Sequence, residues 1–122
     1  MPLVFTPVYS DSAARYDIDL VVRHTNRYPY ATLQLAVDLL GDSAGMKRKD
    51  VTFRLADERG NWTGAGFASL FQVKTTIAQG VTPQTARHVS VWQTASNTIT
   101  VNQISEVGII VHPADVPSQS RL

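Results

Sequence analysis

Two aspartates are the residues whose spacing comes nearest to that of a catalytic pair. Asp17 and Asp19 are two positions apart, and a strand would place both carboxylates on one face, about 6.6 Å from each other. Inverting glycosidases hold two carboxyl groups at a similar separation. Arg15 and Arg23 flank the pair as screening partners, and alternating acids are common on a solvated strand face. We therefore expect no catalytic residues and no enzyme, and a hydrolase that uses Asp17 and Asp19 is the third of three hypotheses.

The three histidines do not form a metal motif in the sequence. His24, His88 and His112 lie far apart, and none has a second histidine or a carboxylate at the spacing of metal ligands. We expect single surface or interface histidines, no metal and no cofactor. The chain has no cysteine, which excludes disulfides, thiolate metal sites and cysteine nucleophiles. It also has no Gly-x-Ser-x-Gly elbow and no phosphate-binding glycine loop.

The clearest element pattern runs from Tyr16 to Leu40. Apolar and mostly polar residues alternate in its first part, which predicts a half-buried strand. Pro29 cannot donate to a sheet ladder, so the chain is predicted to leave the sheet there. The alternation then resumes between Ala31 and Leu40, where a helical period also fits, and the matching pattern upstream favours a strand. The apolar positions are Tyr16, Ile18, Leu20 and Val22, followed by Leu33, Leu35, Val37 and Leu39.

Leu3 and Phe5, followed by Pro7, predict an N-terminal strand at a sheet edge, because proline cannot donate to a ladder. Later segments repeat the two-residue period. Val51 to Leu55 predicts another strand, which ends at a turn over Asp57 to Asn61, and the glycines after Trp62 predict a close backbone approach or a positive φ. A broken alternation from Phe67 to Ile77 predicts a strand with a bulge at the adjacent Leu70 and Phe71, and Ile99 and Val101 alternate further on. Seven to nine short strands and no obligatory helix predict an all-β fold, an antiparallel β-sandwich of jelly-roll or immunoglobulin-like type. We assign 1–113 to a single sandwich domain and 114–122 to a flexible C-terminal tail.

Composition bounds the class of protein. The 122 residues are 43% hydrophobic and 17% charged, which is typical of one ordinary globular domain. The formal charge is +1, and only Met46-Lys47-Arg48-Lys49 clusters basic residues, in what we expect to be a loop, so we expect no nucleic-acid partner. No apolar run approaches the roughly 18 residues of a membrane span, and Met1-Pro2-Leu3 does not open a signal peptide. We expect the polypeptide as given to be soluble.

Three aromatic residues lie in or beside connections. Exposed rings at Tyr28, Tyr30 and Trp62 could stack on sugars or anchor a partner protein. The other interpretation, which we favour, is that they cap the ends of the sandwich core.

Two stretches resemble a known family. Arg23-His24-Thr25-Asn26-Arg27-Tyr28-Pro29-Tyr30 is followed by Leu33, and a second motif runs from Leu55 through Asp57-Glu58-Arg59-Gly60-Asn61-Trp62 to Gly66. With Glu106-Val107-Gly108-Ile109 near the end, the chain resembles the gliding-motility-associated lipoprotein family, GldH. The family pattern before the last strand differs here, since the chain has Ser96-Asn97 and Val101-Asn102-Gln103-Ile104.

The resemblance implies a lipoprotein of the cell envelope. Such a protein faces the periplasm, is tethered by a lipidated N-terminal cysteine, and serves the gliding and protein-export machinery as an accessory or scaffold with no known enzymatic activity. The chain as given lacks that cysteine, so we expect either a trimmed form, with Met1 added, or a soluble relative. Its membrane contact would be through that lipid alone.

The resemblance also selects candidate residues. We hypothesise that Arg23 forms a forked pair with Asp57 or Glu58 and that Trp62 packs over Pro29, so that Arg23→Ala costs about 1 to 3 kcal/mol. The first functional hypothesis is docking on envelope proteins of the gliding or secretion machinery, and the alternative is a carbohydrate-binding module with a glycan ligand. The candidate binding or motif residues are Arg23, Tyr28, Pro29, Tyr30, Asp57, Gly60, Trp62 and Gly64.

Overall fold

The structure is a computed structural model that describes residues 3–26, 31–42, 47–67, 70–94 and 104–114. Within these residues eight strands form two four-stranded antiparallel sheets, and there is no helix. Sheet I has the order β1-β7-β3-β4, and sheet II has the order β5-β6-β2-β8. The strands are β1 (Leu3–Phe5), β2 (Tyr16–Thr25), β3 (Thr32–Leu40), β4 (Lys47–Arg54), β5 (Ala65–Phe67), β6 (Leu70–Val81), β7 (His88–Gln93) and β8 (Ile104–Pro113).

The two sheets pack face to face, which confirms the predicted antiparallel sandwich. One hydrophobic cluster joins inward side chains of both sheets, among them Leu20 of β2 and Val37 of β3. Of the two sandwich types considered, the strand order departs from the immunoglobulin order, in which the first two strands pair, because β1 and β2 lie in different sheets.

Strand β2 occupies the middle of sheet II and contributes four core residues. It pairs with β6 on one side and β8 on the other. Since alternate residues of a strand lie on opposite faces, one set enters the core and the other stays on the outer side of the sheet. The predicted apolar face is confirmed, because its residues are at most 4% exposed: Tyr16, Ile18, Leu20 and Val22.

The segment after Pro29 is a strand, as favoured from its pattern. Leu33, Leu35 and Val37 of β3 are buried in the core. The outer side of β3 is also covered at Ala36 and Asp38, which are 0% and 7% exposed. Burial of Ala36 next to Val37 explains why a helical period also fitted the segment, because the apolar residues do not follow strict alternation.

Two sequence expectations were wrong in detail. The basic run from Lys47 to Lys49 is part of β4 rather than a loop, so Arg48 and Lys49 lie on opposite faces of a strand. The bulge in β6 is not at Leu70, because the register with β2 shifts instead around Ile77 and Ala78. Both of these residues are buried, as a bulge permits.

Several predicted features lie outside the described residues. These are the turn at Tyr28, Pro29 and Tyr30, the predicted alternation at Ile99 and Val101, and positions 115–122 of the predicted tail. The expected edge position of the N-terminal strand is confirmed by β1. The domain limits stay a prediction.

Candidate functional site

The Arg23 side chain lies on the outer side of sheet II, in a row with residues of two neighbouring strands. Its Nε donates a hydrogen bond to Gln72 Oε1 of β6 at 2.8 Å, and its Nη1 donates to Glu106 Oε1 of β8 at 2.7 Å. The strand registers place these three residues directly across from one another. The predicted pairing with Asp57 or Glu58 is therefore wrong, because the guanidinium instead donates to Gln72 and Glu106 on the two neighbouring strands.

This row is exposed to solvent. The side chains of Arg23 and Glu106 are 48% and 60% exposed, and exposed ion pairs contribute about 0 to 1 kcal/mol. The expected cost of Arg23→Ala falls accordingly, from the 1 to 3 kcal/mol of a buried pair to about 1 kcal/mol or less. The ion pair fixes the direction of the guanidinium more than it stabilises the fold.

Two surface grooves flank the row. A groove of about 370 Å³ has Leu70, Ala65 and the Phe71 edge on one side of Arg23. A second groove of about 240 Å³ has Val21, Gly108 and Ile110 on the other side. Leu70 and Ile110 are 39% and 40% exposed. The outer side of sheet II thus combines apolar side chains with a fixed arginine, and we call the first groove together with Arg23 and Gln72 the Arg23 groove.

On the opposite side of β2, the neighbouring residue His24 enters the core. It is 0% exposed, its ring centroid is 4.8 Å from Trp62, and it stacks on Phe71 at 5.6 Å. Its Nδ1 lies 2.9 Å from Thr25 O. The expectation of a surface or interface histidine is wrong here, because β2 alternates and position 24 follows the inward set.

Trp62 closes this end of the core. It is partly buried against the hydrophobic cluster, forms an isolated bridge with Ala56, and its ring is 5.6 Å from Phe71. This packing supports the capping interpretation over an aromatic platform for sugars. The predicted contact with Pro29 lies outside the described residues.

The acidic turn before Trp62 is built by Asp57 and Gly60. Asp57 Oδ1 accepts hydrogen bonds from Asn61 N and Arg59 N, both at 2.9 Å. The bond from Asn61 is the main reason that the pKa of the Asp57 carboxyl is below its ordinary value. Gly60 has a φ of +84°, which a residue with a side chain rarely adopts. These two motif residues shape the turn.

Gly64 allows a close backbone approach, as predicted from the glycines after Trp62. A Cβ on Gly64 would collide with the carbonyl oxygen of Gln72 and lie 2.9 Å from a methyl of Val73. Motif residue Gly64 therefore lets the chain pass close to the β6 backbone just before β5 begins.

The two aspartates of β2 are held by backbone and side-chain contacts. Asp17 Oδ1 accepts a hydrogen bond from Gly80 N at 2.9 Å, and Asp19 Oδ1 accepts one from Thr76 Oγ1 at 2.8 Å. Asp19 Oδ2 also lies 3.3 Å from His112 Nε2. Of the two arginines expected to screen this pair, Arg15 donates to Gly80 O, and Arg23 donates to Gln72 and Glu106.

His88 is an exposed residue, as expected, and lies 3.2 Å from Thr6 Oγ1. In the described part of the chain, His, Asp and Glu side chains form no group of three or more that could hold a metal ion. Those residues also include no helix that could cross a bilayer.

Sequence reasoning missed Gln72 and Leu70 as neighbours of Arg23. Glu106 was part of the family motif, yet its pairing with Arg23 depends on the register between β2 and β8. The adjacent apolar residues Leu70 and Phe71 are the one sequence signal for an apolar surface here, because neighbouring residues of a strand point to opposite faces and one of the two must lie on the outer face.

A comparison with protein-family models matches residues 2–111 to the model described as GldH lipoprotein. The match covers both motif stretches, so the resemblance predicted from them is confirmed. No curated protein matches the chain, and no solved structure matches it.

Proposed function

The chain belongs to the GldH lipoprotein family, and we propose that it is a non-catalytic envelope protein that serves the gliding and protein-export machinery as an accessory or scaffold. In its lipid-tethered form it faces the periplasm. Partner proteins of that machinery dock on the outer side of sheet II, at the Arg23 groove.

The Arg23 groove is the observation that carries this proposal. Protein interfaces are enriched in arginine and aromatic side chains, and the residues that contribute most to binding lie in well-packed pockets near the centre. Here Leu70 is 39% exposed beside a guanidinium that two hydrogen bonds already hold in place. A held side chain loses little conformational entropy when a partner binds it. The groove of about 370 Å³ gives an apolar side chain of the partner a place to enter.

The role of the aspartates supports a non-catalytic protein. Asp17 and Asp19 are each engaged by a residue of β6, and these contacts tie β2 to β6 along their pairing. Both carboxylates therefore have structural partners in the sheet.

Site-specific photocrosslinking in gliding cells tests the docking surface. A photoreactive residue replaces Leu70 in the lipidated full-length protein, and the matched control carries it at Thr52, which is exposed on β4 of sheet I. We expect crosslinks at position 70 to components of the gliding or export machinery and none of these at position 52. The same adducts at both positions, or none at position 70, would contradict the proposal.

Substitution of Leu70 gives a second readout. Leu70→Glu places a charge in the groove, so crosslinking from a photoreactive residue in place of Ala65 of β5 should fall and gliding should slow. Thr52→Glu should change neither. Normal gliding and crosslinking in Leu70→Glu would count against docking at this face. Saturable glycan binding on an array, unaffected by Leu70→Glu, would instead favour the carbohydrate-binding alternative.

A further inference from the structure

Strand β8 is the outermost strand of sheet II among the described strands. It pairs with β2 along one side. Proteins usually protect a long edge strand with charges, proline or a bulge, and β8 has these near its ends, at Glu106, at Pro113 and at the register shift between Ile104 and Glu106. The stretch from Gly108 to Val111 has no charge and no proline, and Ile110 is 40% exposed on its outer face. Such an edge is a template for another strand.

The faces of β8 limit how a second copy can pair with it. In an antiparallel pair, opposite residues lie on the same face, and a slip by one residue exchanges the two faces. When two copies pair about a two-fold axis, each register is therefore centred on one residue. Centring on Ile109 places Glu106 opposite His112 of the second copy and Ile110 opposite Gly108 of the second copy.

This register sets two polar side chains opposite each other and a large side chain opposite a glycine. In each copy Glu106 is paired with Arg23 at 2.7 Å, and His112 lies 3.3 Å from Asp19. The Glu106 carboxylate of one copy then faces the His112 ring of the other, and an imidazole N–H can donate a hydrogen bond to a carboxylate. A Cβ on Gly108 would meet nothing within 4 Å, so the Ile110 side chain of the second copy has room beside it.

Neighbouring registers lack this match. Centring on Gly108 sets Glu106 opposite Ile110 of the second copy, which leaves the carboxylate against an apolar side chain. Centring on Ile110 sets His112 opposite Gly108 of the second copy. Hydrogen-bonded cross-strand pairs stabilise a sheet, and of these three registers only the one centred on Ile109 sets a hydrogen-bond donor, the His112 ring, opposite the Glu106 carboxylate.

We propose that β8 pairs antiparallel with β8 of a second copy, centred on Ile109, and that the chain is a two-fold symmetric dimer with a continuous eight-stranded sheet. The same edge serves both copies, so the assembly closes at two. The dimer uses the β8 edge, whereas the proposed docking surface is the Arg23 groove on the other side of β2.

The mass of the full chain in solution tests the dimer. Sedimentation of the unchanged protein should give the mass of two chains. Ile110→Glu places a carboxylate diagonally across from Glu106 of the second copy and should give the mass of one chain. The matched control is Leu70→Glu, which changes a residue of similar exposure in the same sheet and should remain a dimer. A single-chain mass for the unchanged protein, or a dimer in Ile110→Glu, would overturn the proposal.

Cysteine pairing tests the register and does not depend on that variant. The chain has no cysteine of its own. The Glu106→Cys and His112→Cys variants are mixed, allowed to exchange subunits and then oxidised. Opposite residues have Cα atoms about 4.5 to 5.5 Å apart, within disulfide reach, so a crosslinked dimer should form in the mixture. In a dimer of either variant alone, the cysteines of the two copies are separated by six residues along the strand direction, which is about 20 Å.

The control for this experiment mixes Glu106→Cys with Thr52→Cys, which lies on the edge strand of sheet I and should give no crosslink. Absence of the crosslink in the first mixture, or equal crosslinking in all samples, would exclude the register. The two proposals can fail separately, because Leu70→Glu removes partner docking and Ile110→Glu removes the dimer.

Discussion

At one end of the sandwich Trp62 and Phe71 close the core over a buried histidine, whereas the other end is closed by hydrogen bonds and an ion pair. There the Tyr9 hydroxyl donates to Ala86 O at 2.6 Å. Arg87 donates to both carboxylate oxygens of Asp42, at 2.8 and 3.0 Å. Partial burial is the main reason that the pKa of Tyr9 is raised. The two ends therefore hold the sheets together by different interactions.

The difference predicts unequal sensitivity to substitution. Burial of an aromatic ring removes a large apolar area from water, and the gain scales with that area. The ion pair at the other end is about half exposed, and water weakens the attraction between its charges. We expect the ring-closed end to contribute most of the stability, and the ion-paired end mainly to fix the loops that meet there.

The largest expected effect is at Trp62. Trp62→Ala removes a ring that packs on His24 and Phe71 and leaves a cavity at the end of the core, so the free energy of unfolding should fall by about 3 kcal/mol. Chemical denaturation followed by circular dichroism measures it. Trp92→Ala is the matched control, since Trp92 is also partly buried but lies outside the core cluster on sheet I. Equal losses in both variants would show that Trp62 does not close the core.

The second effect tests the backbone approach at the same end. Gly64→Ala forces a methyl group into the Gln72 carbonyl, and such overpacking costs about 1 to 3 kcal/mol. Gly108→Ala is the control, and both variants are made in the single-chain Ile110→Glu background, where position 108 has open space and alanine loses less entropy on folding than glycine. Thermal unfolding should show a lower Tm for Gly64→Ala alone. A similar Tm for the two variants would mean that the chain does not pass close to β6.

The smallest effect is at the ion-paired end and depends on pH. The side-chain hydrogen bond from Arg87 is the main cause of the lowered pKa of Asp42. A lowered pKa stabilises the fold above the ordinary carboxyl pKa of about 3.9, and this contribution is lost as the pH falls through the lowered value. Asp42→Asn should therefore be less stable than the unchanged protein near neutral pH, and the difference should vanish in acid.

High salt should also reduce this difference, because it screens exposed charges. Arg87→Gln should behave like Asp42→Asn, and the double variant should lose no more than either single one, since both remove the same pair. Additive losses, or a difference that persists in acid, would assign the stability to another contact.

Much of the fold could be predicted from alternation. The buried sets of β2 and β3 and the strand after Pro29 follow from the two-residue period, because only extended chain places those residues on one face. The edge position of β1 follows instead from Pro7, because proline cannot donate to a ladder. The bulge in β6 could not be placed, since a bulge is set by how two paired strands fit. The basic run at the start of β4 could not be predicted as strand, because consecutive charged residues do not alternate in hydrophobicity.

The candidate site was predictable only in part. Gly60 and Gly64 could be assigned backbone roles, since glycine marks positive φ or close approach. Arg23 could be selected but not its partners, because Gln72 and Glu106 are 49 and 83 positions away. The polar residue type of His24 predicts a surface position, whereas its place in the β2 alternation predicts the core, where the residue lies.

The sequence by itself determined which residues face inward, because the side chains of a strand alternate whatever its neighbours are. It also determined family membership through two local motifs. Only the tertiary structure decided that β2 lies between β6 and β8, that Arg23 meets Glu106, and that Trp62 covers His24. Those contacts depend on strand order and register, which arise from the packing of the two sheets and have no local signature in the chain.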